Sequence, residues 1–204
     1  MGGLENRGEV GNFIGIYNGK LCQRVKENEA GSVARVLEKG KNAGKTIFEK
    51  YYDRLTGKLV DIKTKEAPFG KMWEFSFKNN EDVYILSLGY SNGYAKTLLK
   101  CLPNINLSEP FTISPSQKEE EGKTKSTLFV NQNGEAIKWA YTREVPNGMP
   151  PMTQIKVKGV DTWDDTDILI FLENMVKTQI LPNLDKSEVV AEAENSNIDP
   201  DLEF

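Results

Sequence analysis

The feature that most limits what this chain folds into is the alternation over residues 71–77. Trp73, Phe75 and Phe77 fall on one side, with Met72, Glu74 and Ser76 on the other, the two-residue period of a strand with one buried face. Residues 82–88 answer with Tyr84, Leu86 and Leu88 across a short Asn79-Asn80 turn, which predicts a hairpin. Upstream, residues 46–54 and 58–65 read as another pair of strands, joined by Leu55-Thr56-Gly57. Downstream the period changes. Tyr94, Ala95, Leu98, Leu99 and Leu102 recur at helical spacing, with Ser91 placed to cap them and Pro103 to stop them. Strand signals resume over 109–114, then over 126–131 and 135–142, which turn at Gln132-Asn133-Gly134.

Strands, a lone helix, then strands again is the order of an OB-fold, a five-stranded barrel used for oligonucleotides and oligosaccharides. The expected fold is therefore mainly β: an OB-fold-like five-stranded barrel with a helix between its third and fourth strands. An extra N-terminal hairpin is read from residues 13–17 and 20–26 around Asn18-Gly19, two residues that accept the positive φ of a type I′ turn. Residues 32–38 read as a strand rather than a helix. A C-terminal helix follows from Ile168, Phe171, Leu172, Met175 and Val176, with Thr162 as its cap, Asp165 three residues on, and Pro182 as its end. Between these, residues 115–125 read as a solvated connection too charged to pack, and 154–160 as one edge strand with lysines outward.

A chain of 204 residues, 38% hydrophobic and 27% charged, supports one core with extensions. The expected units are 1–184 and a disordered acidic tail, 185–204. From Asp185 onward seven acids face Lys186 alone, a net of −6, which leaves 25 basic and 23 acidic residues, net +2, for the body. No apolar run reaches the length of a membrane span and Met1-Gly2-Gly3-Leu4-Glu5-Asn6 is no secretory leader, so a cytoplasmic protein away from membranes is expected. Cys22 and Cys101 lack any paired spacing and read as buried thiols of a reducing compartment.

Histidine is absent, which removes Ser-His-Asp and Cys-His catalysis and the usual zinc sites. Gly40-Lys41-Asn42-Ala43-Gly44-Lys45-Thr46 has one residue too few between its glycines for a phosphate-binding loop, and a strand follows where a helix is required. The carboxylates Asp161, Asp164, Asp165 and Asp167 read as a helix start before they read as a metal nuclease. No enzyme activity, cofactor or metal is expected.

What remains is binding chemistry. Holding a single strand without reading its sequence takes aromatic plates for bases and cations for phosphates. Both occur interleaved: Lys50, Tyr51, Tyr52 and Arg54; Lys63; Lys71 with Trp73; Tyr90; and Lys138, Trp139, Tyr141 and Arg143. Each ring has a second reading as core, and for Trp73 the core reading leads. The chain ends Asp199-Pro200-Asp201-Leu202-Glu203-Phe204, where Asp199, Asp201, Leu202, Glu203 and Phe204 suit a partner pocket with an apolar slot and a basic rim.

That terminus resembles the acidic, Phe-terminated tails of bacterial single-stranded-DNA-binding proteins. In the body, Tyr90-Ser91-Asn92-Gly93-Tyr94-Ala95-Lys96, Leu102-Pro103-Asn104-Ile105 and Pro146-Asn147-Gly148-Met149-Pro150 look like bacteriophage single-stranded-DNA-binding proteins of the OB-fold type, including those of crAss-like phages. The resemblance implies a protein of replication, recombination and repair that coats single-stranded DNA, with RNA a weaker expectation. It further implies that the tail recruits replication or recombination proteins, in a host cytoplasm, and leaves a homo-oligomer open. A virion interaction module is the alternative class.

Overall fold

The computed structural model describes residues 12–27, 29–38, 42–120 and 122–185. The tail residues Asp199, Asp201, Leu202, Glu203 and Phe204 lie outside them. Among the described residues ten strands form one mixed, open sheet and two more form a separate ribbon. In chain order these are β1 (Asn12–Tyr17), β2 (Lys20–Val25), β3 (Val33–Val36), β4 (Thr46–Tyr52), β5 (Leu55–Ala67), β6 (Gly70–Asn79) and β7 (Asp82–Gly89). After helix α1 (Gly93–Cys101) come β8 (Phe111–Glu120), β9 (Lys123–Gln132) and β10 (Glu135–Ala136). The ribbon is β11 (Thr153–Val157) with β12 (Val160–Asp164), and helix α2 (Thr166–Met175) follows it.

The alternation of β6 is honoured: Trp73, Phe75 and Phe77 are buried and pair antiparallel with Leu88, Leu86 and Tyr84 of β7. Strand order through the large sheet is β10-β9-β8-β5-β6-β7-β1-β2-β4-β3. Within it β5, β6 and β7 form a meander, α1 intervenes, and β8 returns to pair with β5 before turning into β9. Three hairpin-connected strands with the fourth beside the first is a Greek key. Helix α1 packs across β9 and β7, burying Tyr94, Ala95, Leu98, Leu99 and Cys101.

The mainly β architecture and the two helices stand, but the expected closed barrel does not form. The hairpin expected as an appendage is the cause. Strand β1 lies parallel on β7, pairing Asn12 with Tyr84 and Ile14 with Leu86, so the free edge of β7 is taken and β2, β4 and β3 extend the sheet. Strands β4 and β5 do not pair with each other either; β4 pairs with β2 and β3, and β5 with β6 and β8.

Further corrections are local. Residues 115–120 and 123–125 are no loop: β8 and β9 run on as a ribbon that pairs Ser116 with Thr127 and Lys118 with Lys125, since cross-strand backbone bonds need no buried face. Residues 154–160 are not one strand, because Lys158 and Gly159 both have positive φ (51° and 84°) and turn the chain back as a two-residue hairpin. Asn92, not Ser91, caps α1, its side chain accepting from the Tyr94 amide at 2.8 Å. At α2, Asp164 rather than Thr162 accepts from the Thr166 amide (3.1 Å) and hydroxyl (2.6 Å). Strand β10 is only two residues long where 135–142 was expected to pair throughout. No helix among the described residues is long and apolar enough to cross a membrane.

The β1–β2 turn leans on β8. At Gly19, with φ +73°, a Cβ would stand 2.4 Å from the Gln117 amide nitrogen, whereas at Gly134, with φ +83°, it would meet nothing within 4 Å. Gly134→Ala is expected to cost only left-handed strain, about 1–2 kcal/mol. Gly19→Ala adds a backbone collision and is expected to cost about 3 kcal/mol or more, read as the difference in urea midpoint between the two variants.

Candidate nucleic-acid interface

Neighbouring residues of a strand face opposite ways, and β4 shows the consequence. Glu49 is fully buried and accepts two hydrogen bonds from Arg35, each 2.8 Å, and one from the Tyr51 hydroxyl at 2.7 Å. Burial pushes the Glu49 carboxyl up, and the Arg35 and Tyr51 hydrogen bonds outweigh it and hold it down. Burial and the Glu49 carboxylate together raise the Tyr51 phenol. Arg35 also stacks on the Tyr17 ring at 4.2 Å. Tyr51 thus closes an internal ion pair. Tyr52 faces outward, 42% exposed, its hydroxyl donating to Gln23 at 3.3 Å. Gln23 borders an open cleft of about 700 Å³ that Arg24, Lys26 and Phe48 also line. Lys50 is ion-paired to Glu29, Arg54 is exposed, and Lys63 lies 3.6 Å from the buried Glu74.

The second group is gathered around α2. Trp73, 1% exposed, stacks on Tyr90 with centroids 5.4 Å apart, and the Lys71 ammonium sits 4.4 Å above the Tyr90 ring. Glu173 of α2 receives hydrogen bonds from Lys71 (2.6 Å), Tyr90 (2.5 Å) and Lys177 (2.7 Å). Burial alone would raise the Glu173 carboxyl; the three donors overcome it and bring it to about 2. Tyr141 is buried edge-on against Phe171, centroids 5.1 Å apart. The structure therefore engages Tyr90 and Tyr141 with the C-terminal helix, the Tyr90 hydroxyl lying 3.3 Å from the Leu169 carbonyl, and keeps Trp73 stacked behind Tyr90.

The third group stays open. Just beyond β10 the Ile137 amide still donates to the Val130 carbonyl of β9 at 2.8 Å. The Asn104 side chain then holds the Lys138 carbonyl at 2.9 Å, and the Ala140 amide reaches the Lys100 carbonyl at 2.8 Å. These contacts present Trp139, 47% exposed, with the Lys100 ammonium 5.0 Å from its ring centroid. Arg143 is exposed a few residues on.

Lys100 and Phe129 were not among the residues singled out from the sequence, though both were signalled there. Inward Leu128 and Val130 force Phe129 outward, where it is 54% exposed. Lys96 and Lys100, four residues apart, take the helix side away from Leu98 and Leu99. Around Phe129 the outer face of β8 and β9 carries Thr112, Ser114, Ser116 and Lys118 opposite Asn131, Phe129, Thr127 and Lys125. It is a hydroxyl-rich sheet face with one ring, edged by cations.

Among the described residues no three His, Cys, Asp or Glu side chains converge for a metal ion. Of the acidic group before α2, Asp164 is engaged at the helix start and Asp165 is paired to Lys96. No protein-family model matches this chain, and neither a curated protein nor a solved structure does.

Glu173 has a lowered folded-state pKa, so its contribution is complete above the unfolded value of about 4.3. It is lost as pH falls toward 2. Glu173→Gln is expected to lower stability at pH 7 by about 2 kcal/mol, with the gap to wild type shrinking as the pH is taken down through that window. An undiminished gap in acid urea titrations would mean that the charge of Glu173 does not hold α2.

Proposed function

We propose that this protein binds single-stranded DNA, largely without regard to sequence, through the open β8–β9 face and the α1 edge beside it. The observation that carries the reading is the strand order β9-β8-β5-β6-β7 with α1 between β7 and β8. It is the Greek-key order of an OB-fold, opened because β1 takes the edge of β7, and such barrels bind oligonucleotides with the loop between their last two strands as one wall. Here that loop is the β8–β9 ribbon.

The chemistry beside it fits. Phe129 and Trp139 offer exposed rings, while Lys100, Lys118, Lys125, Lys138 and Arg143 offer cations. Stacking gives about 1–3 kcal/mol per base, and phosphate contacts make binding fall steeply with salt. Tyr52 with the cleft beside Gln23 is a second platform at the far end of the sheet. Coating of exposed strands in phage replication, recombination and repair, with partners recruited through the acidic tail, is the corresponding biological role.

A salt-dependent titration with single-stranded DNA, duplex DNA and RNA tests this directly. Single-stranded DNA is expected to bind most tightly, weakening as salt rises. Trp139→Ala is expected to cost about 1–3 kcal/mol of strand affinity with little change in stability. Trp73→Ala is expected instead to cost about 3–5 kcal/mol of folding stability. Equal affinity for duplex, or a Trp139→Ala variant that binds like wild type, defeats the assignment.

A further inference from the structure

Among the described residues the β11–β12 ribbon pairs with no other strand, and an isolated two-stranded hairpin is marginal in water. Its register divides it into two unlike faces. Gln154 opposite Trp163 and Lys156 opposite Asp161 make one; Ile155 opposite Thr162 and Val157 opposite Val160 make the other. On this second face Ile155, Val157 and Val160 are 41%, 47% and 66% exposed. A face of β-branched side chains matches the buried surface of another sheet, and neither bases nor phosphates.

We propose that this face packs against the same face of a second copy of the chain seated next to it on a common DNA strand, so that the ribbon supplies cooperativity. The size of the face selects this occupant. Five residues per strand at about 3.3 Å each, on two strands each about 4.8 Å wide, give a footprint of roughly 160 Å², against about 800 Å² per partner for a stable complex. Such a contact fails between free molecules and succeeds where a shared polymer holds both copies at an effective concentration in the millimolar range. β-Branched faces stack about 10 Å apart, as two sheets do. The ribbon's base is tied down where Asp165 pairs with Lys96 of α1, the helix that edges the proposed strand path.

This inference rests on the strand-binding reading, and its test separates the two. The triple variant Ile155→Thr, Val157→Thr, Val160→Thr keeps β-branched geometry and removes the apolar face. Binding is measured to an oligonucleotide long enough for one protomer and to a strand long enough for many. Wild type is expected to bind the long strand at least about tenfold more tightly per site, with a steep isotherm. The variant is expected to lose that gain while matching wild type on the short strand. Both proteins are expected to sediment as monomers without DNA. Equal wild-type affinity on the two lengths, a variant weakened equally on both, or a strand-free dimer that the variant abolishes overturns the proposal. No wild-type binding to either length instead removes the strand-binding reading itself.

Discussion

The parallel seat of β1 on β7 is the contact on which the rest of this architecture depends. Three paired positions, Asn12 with Tyr84, Phe13 with Ile85 and Ile14 with Leu86, add Ile14, Ile16 and Leu21 to the core built by Trp73, Phe75, Phe77 and α1. They also decide what the sheet does next. With the β7 edge occupied, β9 stays free to carry β10 and the chain beyond it. That run delivers Lys138 and Trp139 to the surface at the end of α1. Openness thus leaves the edge of β9 available beside the outward-facing Phe129.

A second constraint decides which rings are available. Helix α2 buries Ile168, Leu169, Leu172 and Met175, at about 1.5–3 kcal/mol for each large side chain removed from water. Its seat consumes Tyr90 and Tyr141, Trp73 is sealed behind Tyr90, and Glu173 locks the helix by drawing in Lys71. Because several buried apolar residues hold the helix, no ligand of ordinary affinity lifts it to reach those rings. Among the described residues, exposed rings are left at Tyr52, Phe69, Phe129, Trp139 and Trp163.

Much of this was legible in the sequence where a period was strong. The alternation of 71–77, its partner at 82–88, the helical stripe from Tyr94 to Leu102 and the Asn18-Gly19 hairpin all appear where their patterns put them. What was not legible is pairing between distant segments. Nothing in residues 12–17 announces that β1 lies on β7 rather than outside the barrel, since a strand's neighbours are chosen by the whole core. The ribbon of 115–120 and 123–125 was hidden because charged residues carry no face periodicity when neither face is buried. Within the site, the adjacency of Tyr51 and Tyr52 showed that one of the two faces outward; that it is Tyr52 follows from the hydrogen bond of Tyr51 to the buried Glu49, which only the structure shows. Exposure was not legible for Tyr90, whose partner Glu173 is distant in sequence.

Trp139 and Trp163 are exposed and Trp73 is sealed, which makes intrinsic fluorescence of a Trp163→Phe variant a direct reporter on Trp139. Adding single-stranded DNA at low salt is predicted to quench the exposed component of that emission, and raising the salt to restore it. Saturating strand that leaves the emission unchanged would contradict a base stacked on Trp139, and with it the account of this face.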